Sequence, residues 1–174
     1  EINHQLFITS KKIQQNFDID YSEFCVPKKG DVLTPQSCIN NAYDNLLKEN
    51  YDNVIDISCG FGEWLVELVK HKKVKKVSMA DTNHINLKIA QKRLKELKID
   101  IDTIIHYNST EELEDNMSGK QFDLVVGNPP YQNPGKTKGQ KIWYRIAQVA
   151  HRICKEGGEV ILLTPNSWMS GGQN

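Results

Sequence analysis

The sequence predicts an α/β fold with a mostly parallel sheet of at least five strands and helices on both faces. Three observations support this prediction. Short apolar runs typical of buried strands alternate with longer segments whose apolar residues recur at helical spacing. Gly60 and Gly62 follow one of these runs and open a helical segment. A second run, residues 124–126, ends in Gly127 and two prolines, which cannot continue a strand.

Length and composition bound the protein class. The chain has 174 residues and 39% hydrophobic residues, enough for about one domain with a single core. Its 22 Lys and Arg side chains balance its 22 Asp and Glu side chains, so overall charge does not indicate a nucleic-acid-binding protein. No apolar run of membrane-spanning length or secretory leader pattern is present, so we expect a cytoplasmic protein. The cysteines lack paired spacing, and neither a zinc site nor a disulfide framework is predicted.

The first elements follow an N-terminal extension, residues 1–33, that shows no clean periodicity. A helix is predicted from Thr34 to about Glu49, with Thr34 as N-cap and Pro35 in the first turn. The residues expected on its apolar side are Ile39, Ala42, Tyr43, Leu46 and Leu47.

A strand over residues 54–57 then leads into a glycine loop and a helix that extends to His71. Glycines permit positive φ and close backbone approach, and the N–H groups of a helix start face whatever lies above them. This arrangement suits a nucleoside or an amino-acid carboxylate. Leu65 stands where a dinucleotide-binding loop would have its third glycine, which disfavours a nicotinamide enzyme.

Asp81 directly follows the second predicted strand, residues 74–80. An acid about 20 residues after a glycine loop, at the end of the next strand, is placed to accept hydrogen bonds from ribose hydroxyls. The alternative is an N-cap for the helix that starts near Asn83. The upstream glycine loop favours the ribose role.

The rest of the chain continues the alternation. The basic residues of the third helix, Arg93 among them, are expected on a solvated face. The loop at residues 132–141 carries three lysines and no acid, which suits either phosphate binding or simple solubility. The element order βαβαβ-β-α-β and a strand order of 3-2-1-4-5 place the ends of strands one and four side by side. The predicted segments are helix 83–98, strand 99–106, turn 107–110, helix 142–155 ended by Gly157 and Gly158, and strand 159–164.

Residues Asn128 to Tyr131 form a stiff loop after the fourth strand. Pro129 and Pro130 have fixed φ and no N–H, so their carbonyl groups are available to other donors. The Asn128 side-chain oxygen and the Pro129 carbonyl offer two acceptors beside the Tyr131 ring. This combination suits an amino group on a flat ring.

The sequence Asn128-Pro129-Pro130-Tyr131 after an apolar strand resembles the catalytic motif of S-adenosylmethionine-dependent amino-methyltransferases. Asp56, Cys59, Gly60 and Gly62 match the cofactor motif of that family, and Thr34-Pro35 is similar to its first motif. The order of these motifs resembles the gamma class of DNA adenine-N6 methyltransferases of restriction-modification type. The resemblance spans about residues 33–168.

The resemblance implies a Rossmann-like class I methyltransferase fold and methyl transfer from S-adenosylmethionine to the N6 amino group of an adenine flipped out of DNA. Methylation of RNA adenine or of a protein glutamine is the alternative in the same reaction class, and a non-catalytic S-adenosylmethionine-binding subunit is a third. Tyr131 and the polar residues after it favour DNA. The implied catalytic residues are Asn128, Pro129, Pro130 and Tyr131. The implied cofactor-binding residues are Thr34, Asp56, Cys59, Gly60, Gly62, Asp81, Thr82, Asn108 and Asn128. For the contact with the adenine amino group of the cofactor, Glu111 or Glu112 at a helix start is the alternative to Asn108.

The same resemblance implies the domain organisation. Residues 34–174 are expected to form a methyltransferase catalytic domain that is C-terminally incomplete. Its DNA specificity would then come from a recognition domain or specificity subunit outside this chain. The fifth strand would present a bare edge, which is a liability for self-pairing.

Overall fold

The computed structural model describes residues 34–131 and 142–165. Helices and strands alternate along these two segments. The helices are α1 (Gln36–Asp44), α2 (Glu63–His71), α3 (His84–Glu96), α4 (Thr110–Met117) and α5 (Ile142–Ile153). The strands are β1 (Asn50–Asp56), β2 (Lys73–Asp81), β3 (Asp100–His106), β4 (Phe122–Gly127) and β5 (Cys154–Leu162).

The strands form one parallel sheet in the order β3-β2-β1-β4-β5, which confirms the predicted arrangement. At the end of β1, Asp56 is paired with Met79 of β2 on one side and with Val126 of β4 on the other. The chain therefore reverses its direction of winding between β1 and β4. Ligands of such sheets bind beyond the carboxyl ends of the strands at this switch point.

Helices cover both faces of the sheet, as predicted, because successive strand residues point to opposite faces. Val54 belongs to the core under α1, α2 and α3, whereas Ile55 belongs to the core under α4 and α5. Neighbouring Leu124 and Val125 of β4 divide in the same way. Across residues 34–131 and 142–165, no helix has the length and apolar character needed to cross a membrane.

The predicted element order omits the helix between β3 and β4, where the structure has α4. Ser109 caps this helix by accepting from the Glu112 N–H at 3.2 Å, and Glu111 and Glu112 lie in its first turn. Both features stabilise a helix start. A crossover is needed because two parallel strands cannot be joined by a tight turn.

The boundary between α5 and β5 also differs from the prediction. The helix ends at Ile153, and Gly157 and Gly158 lie inside β5 instead of ending the helix. Between Phe122 and Leu124 of β4, the partner on β5 advances from Cys154 to Glu159, so β5 bulges. A Cβ on Gly158 would stand 2.7 Å from Cys154 Sγ, which explains the glycine in the bulge.

Helix α1 is shorter than predicted, and Thr34 is not its cap. Pro35 occupies the N-cap position, and no side chain caps the helix start. Because the helix already ends at Asp44, Leu47 is 89% exposed and does not extend the apolar face. The Thr34 hydroxyl makes tertiary contacts instead, which are described below.

Candidate active site

The glycine loop between β1 and α2 has the backbone geometry expected of a ligand cradle. Gly60 has φ +51° and Gly62 has φ +83°, both in the left-handed region that favours glycine. Gly62 is the N-cap of α2, and its N–H donates to Cys59 O at 2.7 Å. A Cβ on Gly62 would stand 3.0 Å from Ala90 Cβ, so this glycine also lets α2 approach α3 closely.

Asp56 lies at the end of β1 and is fully buried. Its Oδ1 accepts from the Ser58 N–H at 3.1 Å. Asp56 Oδ2 and Ser58 Oγ are buried without a hydrogen-bond partner among the described residues. Burial raises the pKa of Asp56 well above its ordinary value of 3.8; the Ser58 N–H lowers it, and the Asp81 and Glu63 carboxylates raise it further.

Cys59 is buried beside this carboxyl group, with 2% of its surface exposed. Its N–H donates to Ala80 O at 2.9 Å, which ties the loop to the end of β2. Burial raises the pKa of the Cys59 thiol, and the Asp81, Asp56 and Glu63 carboxylates add to that effect. Cys59 is therefore a neutral, packed side chain and not a nucleophile.

Asp81 holds the glycine loop to the start of α3. Its Oδ2 accepts from the Gly60 N–H at 2.8 Å. Its Oδ1 accepts from the Asn83 N–H at 2.7 Å and from Asn86 Nδ2 at 3.3 Å. Asn83 itself caps α3 by accepting from the Ile85 N–H at 3.1 Å. The alternative role of Asp81 as an N-cap is therefore wrong, and ribose binding stays a prediction.

The remaining predicted cofactor residues lie near the ends of β2 and β3. Thr82 is exposed, and its backbone carbonyl oxygen lies 3.0 Å from His106 Nε2. Asn108 is exposed, and its backbone N–H and side-chain Nδ2 donate to Glu112 Oε2 at 2.8 and 3.0 Å. Asn108 therefore lies beside the Glu112 carboxylate at the start of α4, and its contact with the cofactor stays a prediction.

The predicted catalytic loop continues directly from β4. Asn128 and Pro130 are half-buried, Pro129 is buried and Tyr131 is 39% exposed. Burial raises the pKa of Tyr131, so its ring is presented as a neutral phenol. An exposed aromatic ring beside a half-buried amide is suited to stack on a planar group while the amide bonds to it.

The catalytic loop and the glycine loop touch at Gly127. A Cβ on Gly127 would stand 2.8 Å from Ser58 Oγ and 3.3 Å from Asp56 Oδ1. Both distances are below ordinary contact, so only a glycine lets the two loops meet this closely. The structure therefore brings Asp56, Gly60 and Asn128 to one edge of the sheet, as predicted.

Thr34 connects this edge to helix α2. Its Oγ1 accepts from Asn128 Nδ2 at 3.2 Å and from Trp64 Nε1 at 3.2 Å. Trp64 is in turn held by Tyr43, whose hydroxyl donates to Trp64 O at 2.6 Å and whose ring packs edge-on against the indole. Thr34 is among the residues predicted for this site, whereas the polar role of Trp64 was not predicted.

Two further residues escaped the sequence analysis. Arg93 was expected on a solvated face, but its Nη1 donates to Phe61 O at 2.5 Å and to Glu63 Oε1 at 2.9 Å, which braces the glycine loop. Gly127 was treated only as the end of a strand. The signal for Trp64 was available in principle, because a buried indole N–H needs an acceptor.

The methyltransferase small domain family matches residues 42–169. A release factor glutamine methyltransferase from Dictyoglomus turgidum is 28% identical over 72% of this chain and 47% of its own length. A ribosomal RNA small subunit methyltransferase C from Actinobacillus pleuropneumoniae is 28% identical over 62% of this chain and 30% of its own length. The chain thus spans less than half of either relative.

A solved structure from Listeria monocytogenes supports the fold. Its provisional description is a class I S-adenosylmethionine-dependent methyltransferase. It superposes with a TM-score of 0.65 at 16% identity, covering 98% of this chain and 56% of that one. At this identity the likeness confirms the predicted Rossmann-like class I methyltransferase fold and carries no statement about substrate.

Proposed function

The chain belongs to the methyltransferase small domain family, and from this premise we propose that it transfers a methyl group from S-adenosylmethionine to the side-chain amide nitrogen of a protein glutamine. The contact of the Asn128 loop with the glycine loop carries the proposal. At Gly127 the two loops lie so close that a Cβ would stand 2.8 Å from Ser58 Oγ. A cofactor held by one loop is then within reach of a group held by the other.

The residues present fit the cofactor that the family implies. S-adenosylmethionine carries a sulfonium and an ammonium cation, and the carboxyl groups of Glu63 and Asp81 lie close to the glycine loop. Asp56 Oδ2 and Ser58 Oγ are buried polar atoms without a hydrogen-bond partner among the described residues, which is consistent with atoms that bind a ligand. We propose that Gly60 and Gly62 carry its backbone contacts. When bound, the cofactor supplies an electrophilic methyl group.

The catalytic loop is suited to hold the acceptor nitrogen. Asn128 Oδ1 and the Pro129 carbonyl accept from the two N–H groups of a planar amino group. These bonds draw the nitrogen lone pair out of conjugation and aim it at the methyl group. Attack by the nitrogen would break the sulfur–methyl bond of the cofactor and leave a neutral thioether, and the cationic nitrogen would then lose one proton to water. Alignment and preorganised dipoles therefore provide most of the rate.

The loop itself does not distinguish a glutamine amide from the amino group of adenine. Both are planar NH₂ groups on an sp² carbon, and two acceptors read either one. The expectation of DNA adenine finds no support in the relatives named above, which act on a release factor and on ribosomal RNA. RNA is the second candidate because one of these relatives carries that description. The three lysines at residues 136–141 lie outside the described residues, and their charge suits phosphate contacts.

The experiment offers labelled S-adenosylmethionine together with a release factor, ribosomal RNA and duplex DNA, and then identifies the modified residue. Label recovered as N5-methylglutamine supports the proposal. Label on an RNA base or as N6-methyladenine in DNA would replace it with the corresponding alternative. Cofactor binding without transfer to any of these polymers would favour a non-catalytic binding subunit.

The first variant to test is Asn128→Ala. We expect transfer to fall by about 100-fold or more, the effect of losing one preorganised hydrogen-bonding group at a reacting atom. Calorimetry should show cofactor affinity within a few-fold of the wild type. Asn41→Ala, at an exposed position on α1, is the matched control and should leave both quantities unchanged. An equal loss of binding and transfer in Asn128→Ala would contradict its catalytic role.

A further inference from the structure

The Thr34 hydroxyl connects three segments that are far apart in the sequence. Thr34 precedes α1, Trp64 lies in the first turn of α2 and Asn128 follows β4. Thr34 is 9% exposed and Trp64 is 4% exposed, so the hydrogen bond between them is buried, whereas the bond from Asn128 to Thr34 is part-buried. Buried polar bonds of this kind are costly to break, since each group left without a partner is desolvated.

We propose that Trp64 is a positioning residue for Asn128 and acts through the Thr34 hydroxyl. The inference rests on the proposed methyl transfer, because it concerns the orientation of the amide that receives the acceptor nitrogen. Trp64 Nε1 donates to Thr34 Oγ1 at 3.2 Å, and Asn128 Nδ2 donates to the same oxygen at 3.2 Å.

A primary amide needs such a restraint. The terminal torsion of an asparagine is broad and roughly two-fold, so rotation exchanges the positions of its oxygen and nitrogen. Catalysis requires the oxygen on the substrate side. A hydroxyl has two acceptor lone pairs, and here the indole N–H uses one and the Asn128 N–H uses the other. With Nδ2 held by Thr34, the amide oxygen is directed away from Thr34, and donation through nitrogen strengthens that oxygen as an acceptor.

The indole is a firm anchor for this purpose. An indole nitrogen can only donate, so the direction of its bond to Thr34 is unambiguous. The ring packs edge-on against Tyr43 with centroids 5.7 Å apart and an interplanar angle of 80°. Tyr43 is fully buried and also bonds to Trp64 O at 2.6 Å. The link therefore joins the helix that begins at the glycine loop to the amide of the catalytic loop.

The test observes the Asn128 side-chain NH₂ directly, in the free protein, by solvent exchange of its ¹H–¹⁵N resonances. We expect exchange to be slow in the wild type and about five- to tenfold faster in Thr34→Val, which removes the acceptor but keeps the shape. Thr34→Ser retains a hydroxyl and should restore protection. Trp64→Phe should also speed exchange. Without the indole N–H, the Thr34 hydroxyl can rotate and donate to the Asn128 oxygen once the amide has turned over, and the Asn128 NH₂ then loses its acceptor.

Trp143→Phe is the matched control, because Trp143 is also a buried tryptophan, with 8% exposure against 4% for Trp64, but lies on α5. It should leave Asn128 exchange unchanged, which separates loss of the indole N–H from loss of aromatic volume. Equal exchange rates in the wild type, Thr34→Val and Trp64→Phe would overturn the proposal. Near-ultraviolet circular dichroism establishes that each variant is folded, and Trp64→Phe serves if Thr34→Val does not fold.

Kinetics supply the second readout. We expect Thr34→Val and Trp64→Phe to lower kcat by about tenfold, with a smaller change in the KM for S-adenosylmethionine. The double variant should be no slower than Thr34→Val alone, because Trp64 acts through Thr34. Additive losses would assign both residues a merely structural role. If the wild type methylates no polymer, the proposed function fails, while the exchange measurement still decides whether the link exists.

Discussion

Asp56 shows how a single residue can be identified from sequence yet acquire its chemistry from burial. The cofactor motif located it at the end of β1. Only the structure shows a carboxyl group with 0% exposure, one N–H donor from Ser58 and one unpartnered oxygen. Desolvation of the charged form outweighs the single hydrogen bond, so the pKa is raised.

The raised pKa of Asp56 predicts a pH-dependent stability. The folded state keeps the proton over a range in which the unfolded chain has lost it. The contribution to stability is therefore fully present below the ordinary pKa of 3.8 and is lost as pH rises through the folded pKa. Asp56→Asn keeps the shape of the side chain but cannot ionise. As pH rises through that window, the free energy of unfolding of Asp56→Asn should increase relative to that of the wild type by up to about 1.4 kcal/mol per pH unit.

Urea unfolding between about pH 4 and pH 8 measures this difference. Asn41→Ala, at an exposed position on α1 that carries no titrating group, is the control and should show a constant difference from the wild type. A pH-independent difference for Asp56→Asn would show that the carboxyl group is ionised in the folded protein, contrary to the prediction.

At the scale of elements, the packing of α2 on α3 determines the shape of the glycine loop. Gly62 is restricted in two ways. Its φ is +83°, and a Cβ added to it would stand 3.0 Å from Ala90 Cβ. Gly119 has a similar φ of +73°, but no described atom lies within 4 Å of its added Cβ. The two glycines therefore separate backbone strain from helix packing.

We expect Gly119→Ala to cost about 1 kcal/mol of stability, from backbone strain alone. Gly62→Ala should cost more, because α2 must also move away from α3, and it should weaken cofactor binding. Combining Gly62→Ala with Ala90→Gly should recover part of the extra stability loss of Gly62→Ala. Denaturant unfolding of the wild type, the two single variants and the double variant gives the coupling energy between the two positions. Equal costs for Gly62→Ala and Gly119→Ala would mean that the helix contact is unimportant.

At the scale of the whole molecule, both site loops are anchored in the sheet that they join. Ile57 N–H donates to Val126 O at 3.0 Å, and Leu163 N–H donates to Gly127 O at 3.0 Å. Ligand bound between the loops should therefore stabilise the fold as a unit, and not only the loops themselves.

Saturating S-adenosylmethionine at about 100 times its Kd should raise the free energy of unfolding by about 2.7 kcal/mol. For a chain of this size the corresponding rise in Tm is roughly 5 to 10 °C, measurable by scanning calorimetry. Asn128→Ala should keep this rise, whereas Gly62→Ala should reduce it. A wild-type protein whose Tm does not change with cofactor concentration would contradict the assignment of the cofactor site.

The sequence by itself determined the strand order, the two loops at the switch point and the residues of both motifs. Each of these depends on a local pattern: an apolar run followed by glycines, prolines or an acid. Such patterns act over one or two turns of chain, where backbone geometry and hydrogen bonding are decided locally.

Tertiary structure alone decided the partners of those residues. Thr34 bonds to Asn128 across 94 residues and to Trp64 across 30, and Arg93 reaches Phe61 across 32. The sequence indicated Asp81 as a ribose ligand or a cap, and only the fold shows that its carboxylate also accepts from the Gly60 N–H. Contacts between distant segments exist only after the sheet has brought the strand ends together. No spacing along the chain encodes them, and for that reason the positioning of Asn128 could not be predicted from the sequence.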